Sequence, residues 1–258
     1  MQGTQHSPPQ RIDFNCDLGE GCGDDAAIIP LISSASVACG GHAGDIATMR
    51  ETVALCQRHG VAVGAHPSFE DREHFGRREL ALDGDAVRAL VVRQVERLMA
   101  VCRASGVALR HVKPHGALYN IAACDADVAS AIAAGVRDID PGLVLYGLAD
   151  SALTRAGEAA GLHVAHEVFA ERRYEADGRL TPRGVEGAVI EDIDQSVAQV
   201  LDILRDGHVL ARTGERVPLH ADTLCLHGDR ADAPAFARAL RQALQAEGFT
   251  MAAPGANA

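Results

Sequence analysis

Tryptophan is absent from these 258 residues, and only three Tyr and six Phe are present. Little material is therefore available for an aromatic platform on which sugars or bases would stack. Positive charge is also short. The chain carries 24 Lys and Arg against 35 Asp and Glu, a net charge of −11. That balance excludes a basic stripe able to neutralise a run of phosphates, so no nucleic-acid partner is expected. No apolar run reaches the roughly 18 residues of a membrane span, and the N-terminus lacks the apolar segment of a signal peptide. No membrane partner is expected, and the cytoplasm is the expected location. The seven cysteines are scattered without a CxxC pair, which removes both a zinc knuckle and a disulfide framework.

The narrowest scarcity is lysine. Lys113 is the one lysine among the 24 basic residues, and the others are arginine. Either chance spared this one position, or it needs a compact ammonium, which a planar guanidinium does not imitate.

Short apolar runs alternate with amphipathic stretches along the chain. Strands are expected at 11–18, 35–39, 61–66, 109–115, 143–148, 163–168 and 223–227, and helices at 46–59, 83–105, 126–136, 151–160, 194–205 and 233–246. About seven βα units without a dividing linker imply one α/β domain with a parallel sheet over 11–250. Residues 1–10 read as a disordered leader and 251–258 as a frayed tail. Hairpin insertions are expected near 171–190, around an Asp-Gly turn at Asp177-Gly178, and near 208–220. Alternation places Asp13, Asn15 and Asp17 on one face of the first strand, with Ile12, Phe14 and Cys16 on the other. His111, Lys113 and His115 share a face, as do Ala62, Gly64 and His66. An open sheet covered by helices would bury these polar groups against apolar helices at several kcal/mol each. A barrel aims them inward near its mouth, so a barrel is the expected architecture.

Six strand ends carry polar clusters: Asn15, Asp17 and Glu20; His42 with Asp45; His66 and Ser68; Lys113 and His115; His166 and Glu167; His227 and Asp229. In parallel α/β folds these ends form the ligand face. There is no GxxxxGK[ST] loop and no GxSxG elbow. The Gly19–Gly23 run places Glu20 where a pyrophosphate would approach. What remains is an acid/base set with one ammonium, suited to hydrolysis or ring opening at a carbonyl. Asp17, His42 and His66 would make a carboxylate–His–His metal set, but no spacing is diagnostic and no metal is favoured.

Asp13-Phe14-Asn15-Cys16-Asp17-Leu18-Gly19-Glu20, Ala38-Cys39-Gly40-Gly41-His42-Ala43-Gly44-Asp45, Gly64-Ala65-His66-Pro67-Ser68, Phe75-Gly76-Arg77-Arg78, Val112-Lys113-Pro114-His115-Gly116-Ala117-Leu118-Tyr119-Asn120, Glu167-Val168-Phe169-Ala170-Glu171-Arg172 and Cys225-Leu226-His227-Gly228-Asp229 closely resemble the LamB/YcsF family, in order along nearly the whole chain. The resemblance implies a seven-stranded, distorted TIM-like β/α barrel of the glycoside hydrolase/deacetylase type. It also implies ATP-dependent opening of 5-oxoproline to L-glutamate together with B and C subunits, which makes the chain a hydrolase acting on a cyclic amide. Glu171 departs from the family's aspartate.

Within that frame Lys113 binds the activated carbonyl oxygen or phosphate, Asp17 or Glu167 serves as base, and His115 as acid. Arg77 or Arg172 holds the substrate carboxylate, and Asn15, Glu20, His42, His66, Tyr119 and His227 line the substrate. ATP with magnesium is expected on, or shared with, the partner subunits. Two other classes stay open. One is a metal-dependent deacetylase or amidohydrolase acting alone, and the other is a non-catalytic subunit that presents the substrate.

Overall fold

The computed structural model describes residues 10–255. Residues 1–9 of the expected leader lie outside that range. Six parallel strands come first: β1 (Arg11–Leu18), β2 (Ser34–Ala38), β3 (Ala62–His66), β4 (Leu109–Val112), β5 (Val144–Leu148) and β6 (His163–Phe169). A hairpin of β7 (His208–Leu210) and β8 (Arg216–Pro218) follows, then β9 (Thr223–His227). β9 pairs with β6 on one side and with β1 on the other, which closes a seven-stranded parallel barrel.

The alternation in β1 drives this closure. Ile12, Phe14, Cys16 and Leu18 face the helices and are buried in the main apolar core. Asp13, Asn15 and Asp17 are just as buried, but inside the barrel, where other strands supply polar partners. Asp13 shows how the floor is built. Its carboxylate accepts from the hydroxyls of Ser33, Ser34, Tyr146 and Thr223. Burial still raises its pKa against those four bonds. Beside it the His111 ring stacks on Tyr146, with centroids 4.1 Å apart. Gly64 is obligatory there, because a Cβ at that position would lie 2.1 Å from His111 Nε2.

The helices follow their sequence signals. α2 (Ile46–His59) is capped by Asp45, which accepts from the Thr48 N–H, and ends at Gly60 in the left-handed region. Asp45 is therefore a cap rather than a site residue. α3 (Gly84–Ala104), capped by Asp83, buries a stripe of Val87, Leu90, Val91, Val95 and Leu98. α5 (Ala126–Ile139), α6 (Ala152–Ala159), α7 (Ile193–Asp206) and α8 (Ala233–Ala246) complete the outer layer. The first and fourth helices in the chain, α1 (Asp25–Ile28) and α4 (Gly116–Ala122), are short and were not expected.

Most boundaries shift by a residue or a few, and three departures bear on the site or the fold. β4 stops at Val112 because Pro114 has no N–H to extend the ladder, so Lys113 and His115 stand on the loop that enters α4. Met251 belongs to β10 (Thr250–Met251), which pairs with Arg11 and Ile12, and the Ala252 N–H donates to the Ile12 carbonyl. Regular structure thus runs past residue 250. Near 171–190 only isolated antiparallel bridges form, Arg172 with Val189 and Tyr174 with Leu180, whereas 208–220 holds the β7–β8 hairpin. Among the described residues no helix is long and apolar enough to cross a membrane.

Candidate active site

At the C-terminal end of the barrel Lys113 is 2% exposed, and carboxylates flank it on two sides. Its Nζ lies 2.8 Å from Asp17 Oδ1 and 2.7 Å from Glu167 Oε1. Asn15 Oδ1 at 3.3 Å and Cys225 Sγ at 3.0 Å take the remaining direction. Burial disfavours the ammonium, but Asp17, Cys225 and Glu167 outweigh it and hold its pKa well above the usual value. Burial likewise works to raise the Asp17 carboxyl, and His66 and Lys113 overcome it, leaving Asp17 well below the carboxylate range. Glu167 is fully buried and also accepts from Asn15 Nδ2 at 3.0 Å and the Tyr119 hydroxyl at 2.7 Å. Every oxygen of Glu167 is thus engaged. It is the fully buried counter-ion of Lys113, with Oε1 shared by Lys113 and Asn15 and Oε2 held by Tyr119. Burial keeps the Cys225 thiol well above its usual value despite the neighbouring ammonium, so it is not a nucleophile.

Three histidines stand on one side of this centre. His66 Nδ1 donates to the Lys113 carbonyl at 2.7 Å, and His115 Nε2 donates to the Phe75 carbonyl at 3.0 Å. Their other nitrogens, His66 Nε2 and His115 Nδ1, face one another at 2.9 Å. Phe75 reaches its position with φ of 54°, a conformation non-glycine residues seldom adopt, and Gly76 follows at 63°. His42 stacks on His115 with centroids 3.7 Å apart and ring planes within 6°. Its Nδ1 meets the Ser68 hydroxyl at 2.9 Å and its Nε2 meets Glu20 Oε1 at 3.0 Å. Burial and the neighbouring His66 push His42 down to about 2, so its ring is neutral. Burial, then His66 and His42, also hold His115 well below its usual value. With its Nε2–H given to the Phe75 carbonyl and its Nδ1 facing His66 Nε2, His115 has no N–H to spare as a proton donor.

His227 offers what those rings do not. Its Nδ1 hydrogen-bonds to Glu171, while its Nε2 points toward Asp17 Oδ2, 3.9 Å away. Burial works to raise the Glu171 carboxyl and His227 overcomes it, so Glu171 is lowered and ionised. A carboxylate that fixes one imidazole nitrogen leaves the other free to take a proton.

These groups open onto a cavity of about 530 Å³, lined among others by Asp17, Lys113, His115, Tyr119, Phe169 and His227. Arg77, Arg172, Arg179 and Arg183 line its outer part. Arg77 is paired with Asp229 at 2.6 Å. Arg172 is 4% exposed, donates one N–H to the Thr181 carbonyl, and leaves its Nε without a partner. Burial, and then repulsion from Arg183, lower its guanidinium to about 10. An anion arriving there would satisfy an unpaired buried donor.

All twelve residues singled out in the sequence converge on this end of the barrel, but their tasks divide. Asn15 and Tyr119 hold Glu167, Glu20 and His42 hold one another, and Arg77 sits at the rim. Glu171, Arg183 and Cys225 were not singled out. Glu171 was visible only as a departure from a family motif, and Arg183 lies in a loop without periodicity. His166, expected in a strand-end cluster, faces away from the barrel and takes the Asp150 N–H at 3.2 Å. The Gly19–Gly23 turn is a packing device. A Cβ on Gly23 would lie 2.1 Å from the Gly228 carbonyl oxygen, so this loop closes against the one that follows His227.

The sequence profile of the LamB/YcsF family matches residues 12–257. A Bordetella pertussis protein, named as the A subunit of 5-oxoprolinase, is 52% identical over 247 residues, 94% of this chain and 98% of that protein. One of the same name from Methylococcus capsulatus is 54% identical over 249 residues, 95% of this chain and 96% of that protein. The crystal structure of a lactam utilization protein from Thermus thermophilus superposes with a TM-score of 0.89 at 43% identity, covering 95% of this chain and 100% of that one.

Proposed function

The chain belongs to the LamB/YcsF family, and from that premise we propose that it is the subunit of an ATP-dependent 5-oxoprolinase that opens the lactam of 5-oxo-L-proline to L-glutamate. The observation that carries the reading is the buried Asp17–Lys113–Glu167 centre opening onto a cavity with guanidinium groups along its outer part. A small cyclic amide bearing one carboxylate fits such a cavity. Its carboxylate would meet Arg172, and its carbonyl carbon would lie toward Asp17 and His227.

In this reading ATP, bound on or shared with the partner subunits, phosphorylates the lactam carbonyl oxygen and leaves as ADP. Water adds to that carbonyl's carbon, the carbon–nitrogen bond of the ring breaks to give an acyl phosphate, and a second water hydrolyses it to glutamate and phosphate. His227 Nε2 takes the first water's proton and returns it to the departing ring nitrogen, so the protons of that step balance without a further group. Glu171 orients His227 and stabilises the imidazolium that forms between the two transfers. Asp17, kept ionised by Lys113, supports the same imidazolium from the other side. Lys113 acts first through the charges it organises, since its donors are already engaged within the protein.

A five-membered lactam is a stable amide, which gives ATP coupling its thermodynamic purpose. The chain carries no nucleotide loop, so ATP with magnesium belongs on, or shared with, partner subunits B and C. The test measures glutamate released from 5-oxoproline with ATP and magnesium, using this chain alone, the partners alone, and all three. Release only from the full mixture is expected. Release by this chain alone without ATP would replace the reading with a self-sufficient amidohydrolase. No release, with partners proven active alongside a different A chain, would overturn the substrate.

A further inference from the structure

We infer that His66 Nε2, His115 Nδ1 and Glu20 Oε1 form a binding site for one divalent cation of the zinc and first-row transition-metal class. The inference rests on hydrogen-bond direction. The backbone carbonyl of Lys113 accepts from His66 Nδ1, and that of Phe75 accepts from His115 Nε2. A carbonyl only accepts, so each ring must carry its proton on the outer nitrogen. In the neutral rings the two inner nitrogens are then both lone pairs, yet they face one another at 2.9 Å. Either a proton held between the rings or a metal ion bound by both resolves that contact, and the carboxylate and imidazole atoms gathered around it favour the ion. Outer N–H groups tied to backbone carbonyls are also the arrangement that fixes the orientation of metal-bound imidazoles.

The separations suit an ion. Glu20 Oε1 lies 3.5 Å from His115 Nδ1 and 3.9 Å from His66 Nε2. Together with the 2.9 Å contact these values bracket the roughly 3.0–3.4 Å between adjacent ligands about 2.1 Å from one ion. The His66 and His115 planes cross at 80°, so their lone pairs can converge. His42 is different. Its inner nitrogen is within 4.8 Å of the other three ligand atoms, but its ring runs parallel to His115, and parallel lone pairs do not meet on one ion. Its Nδ1 donates to the Ser68 hydroxyl, whose own proton goes to the Phe69 carbonyl, which leaves Nε2 for Glu20. His42 therefore holds Glu20 in place through Nε2. Charge permits the ion as well. Lys113 would repel it, but Asp17 and Glu167 offset that ammonium, and Asp17 Oδ2 lies 3.3 Å from His66 Nε2 on the same side. The ion would lie where His115 and Asp17 reach the cavity, placed to polarise a substrate carbonyl or a bound water.

The site stands apart from the identity of the substrate, and so does its test. The full chain is stripped with a chelator, then titrated calorimetrically with zinc chloride and, in parallel, with cobalt chloride while the visible spectrum is recorded. About one equivalent is expected to bind, with cobalt bands showing imidazole coordination. His66→Ala should abolish both signals, Glu20→Gln should weaken binding about tenfold or more, and His220→Ala, at an exposed histidine paired with Asp222, should change neither. Glu20→Gln keeps a polar contact for His42, so it serves if His66→Ala fails to fold. Absence of a stoichiometric signal in the parent chain would overturn the inference and leave a shared proton between the two rings. Binding that survives both variants would overturn it equally. Loss of the binding signal with glutamate release intact would overturn the ion and leave ring opening standing, while stoichiometric binding by a chain inactive on 5-oxoproline would do the reverse.

Discussion

Replacing Lys113 with methionine separates charge from volume, because the thioether keeps most of the buried stem and removes only the ammonium. Asp17 and Glu167 would then share a closed interior without their common counter-ion. Breaking a buried pair by removing one partner costs about 3–5 kcal/mol. For a chain of this length that corresponds to a fall in Tm of about 6–20 °C. The chain has no tryptophan, so far-UV circular dichroism during urea unfolding is the suitable probe. The double variant Lys113→Met/Glu167→Gln should recover part of the loss, since it removes one of the two stranded charges.

The pH dependence carries a sign. The folded Asp17 carboxyl titrates below its unfolded value, so its contribution is complete above about pH 4 and drains as the pH falls through the folded value. Without Lys113 that carboxyl keeps His66 but loses its second lowering charge, so it rises and the gap between parent and variant should narrow below about pH 4. A Lys113→Met chain within about 1 kcal/mol of the parent at pH 7 would refute the reasoning, because the two carboxylates could not then both be charged. Lys113→Arg should not restore stability fully. A planar guanidinium does not reproduce the contacts that the compact ammonium makes with Asp17 and Glu167 on opposite sides.

Gly64→Ala should cost about 1–3 kcal/mol in urea unfolding, because the new methyl meets a His111 ring already pinned by Tyr146. A neutral result would mean that the floor of the barrel is loosely packed. Glu171→Gln should lower kcat by about 10²–10⁴ with little change in KM, as expected for a group that orients a base without touching substrate. The same variant should flatten the stability profile below about pH 4.5, since the folded Glu171 carboxyl is lowered and its contribution is lost only as the pH falls. An unchanged kcat would return His227 to a mere wall of the cavity.

The barrel was legible because β1 alternates so strictly. Asp13, Asn15 and Asp17 on one face have no tolerable home against apolar helices, and a closed interior is what resolves them. Lys113 was legible through scarcity alone. What the sequence did not carry was pairing. Lys113 meets Asp17 across 96 positions, and Asn15 meets Glu167 across 152. Such contacts follow from the register of strands that share no local pattern. Glu167 and Asp17 therefore read as equivalent bases, although one is saturated by Lys113, Asn15 and Tyr119 while the other faces two histidines.

The histidines make the same point at finer grain. A histidine at a strand end looks alike whether it bonds to water, a carboxylate or an ion. His66 and His115 acquire their meaning from the carbonyls of Lys113 and Phe75, and no residue identity encodes where a carbonyl points. The Phe75 carbonyl depends on backbone held at positive φ beside Gly76. A turn in the β3–α3 connection thus decides which nitrogen of His115 faces the site, and with it whether two lone pairs confront each other inside the barrel. The residue types that permit chemistry lie in the strands, but the chemistry itself is selected by main-chain atoms of the loops.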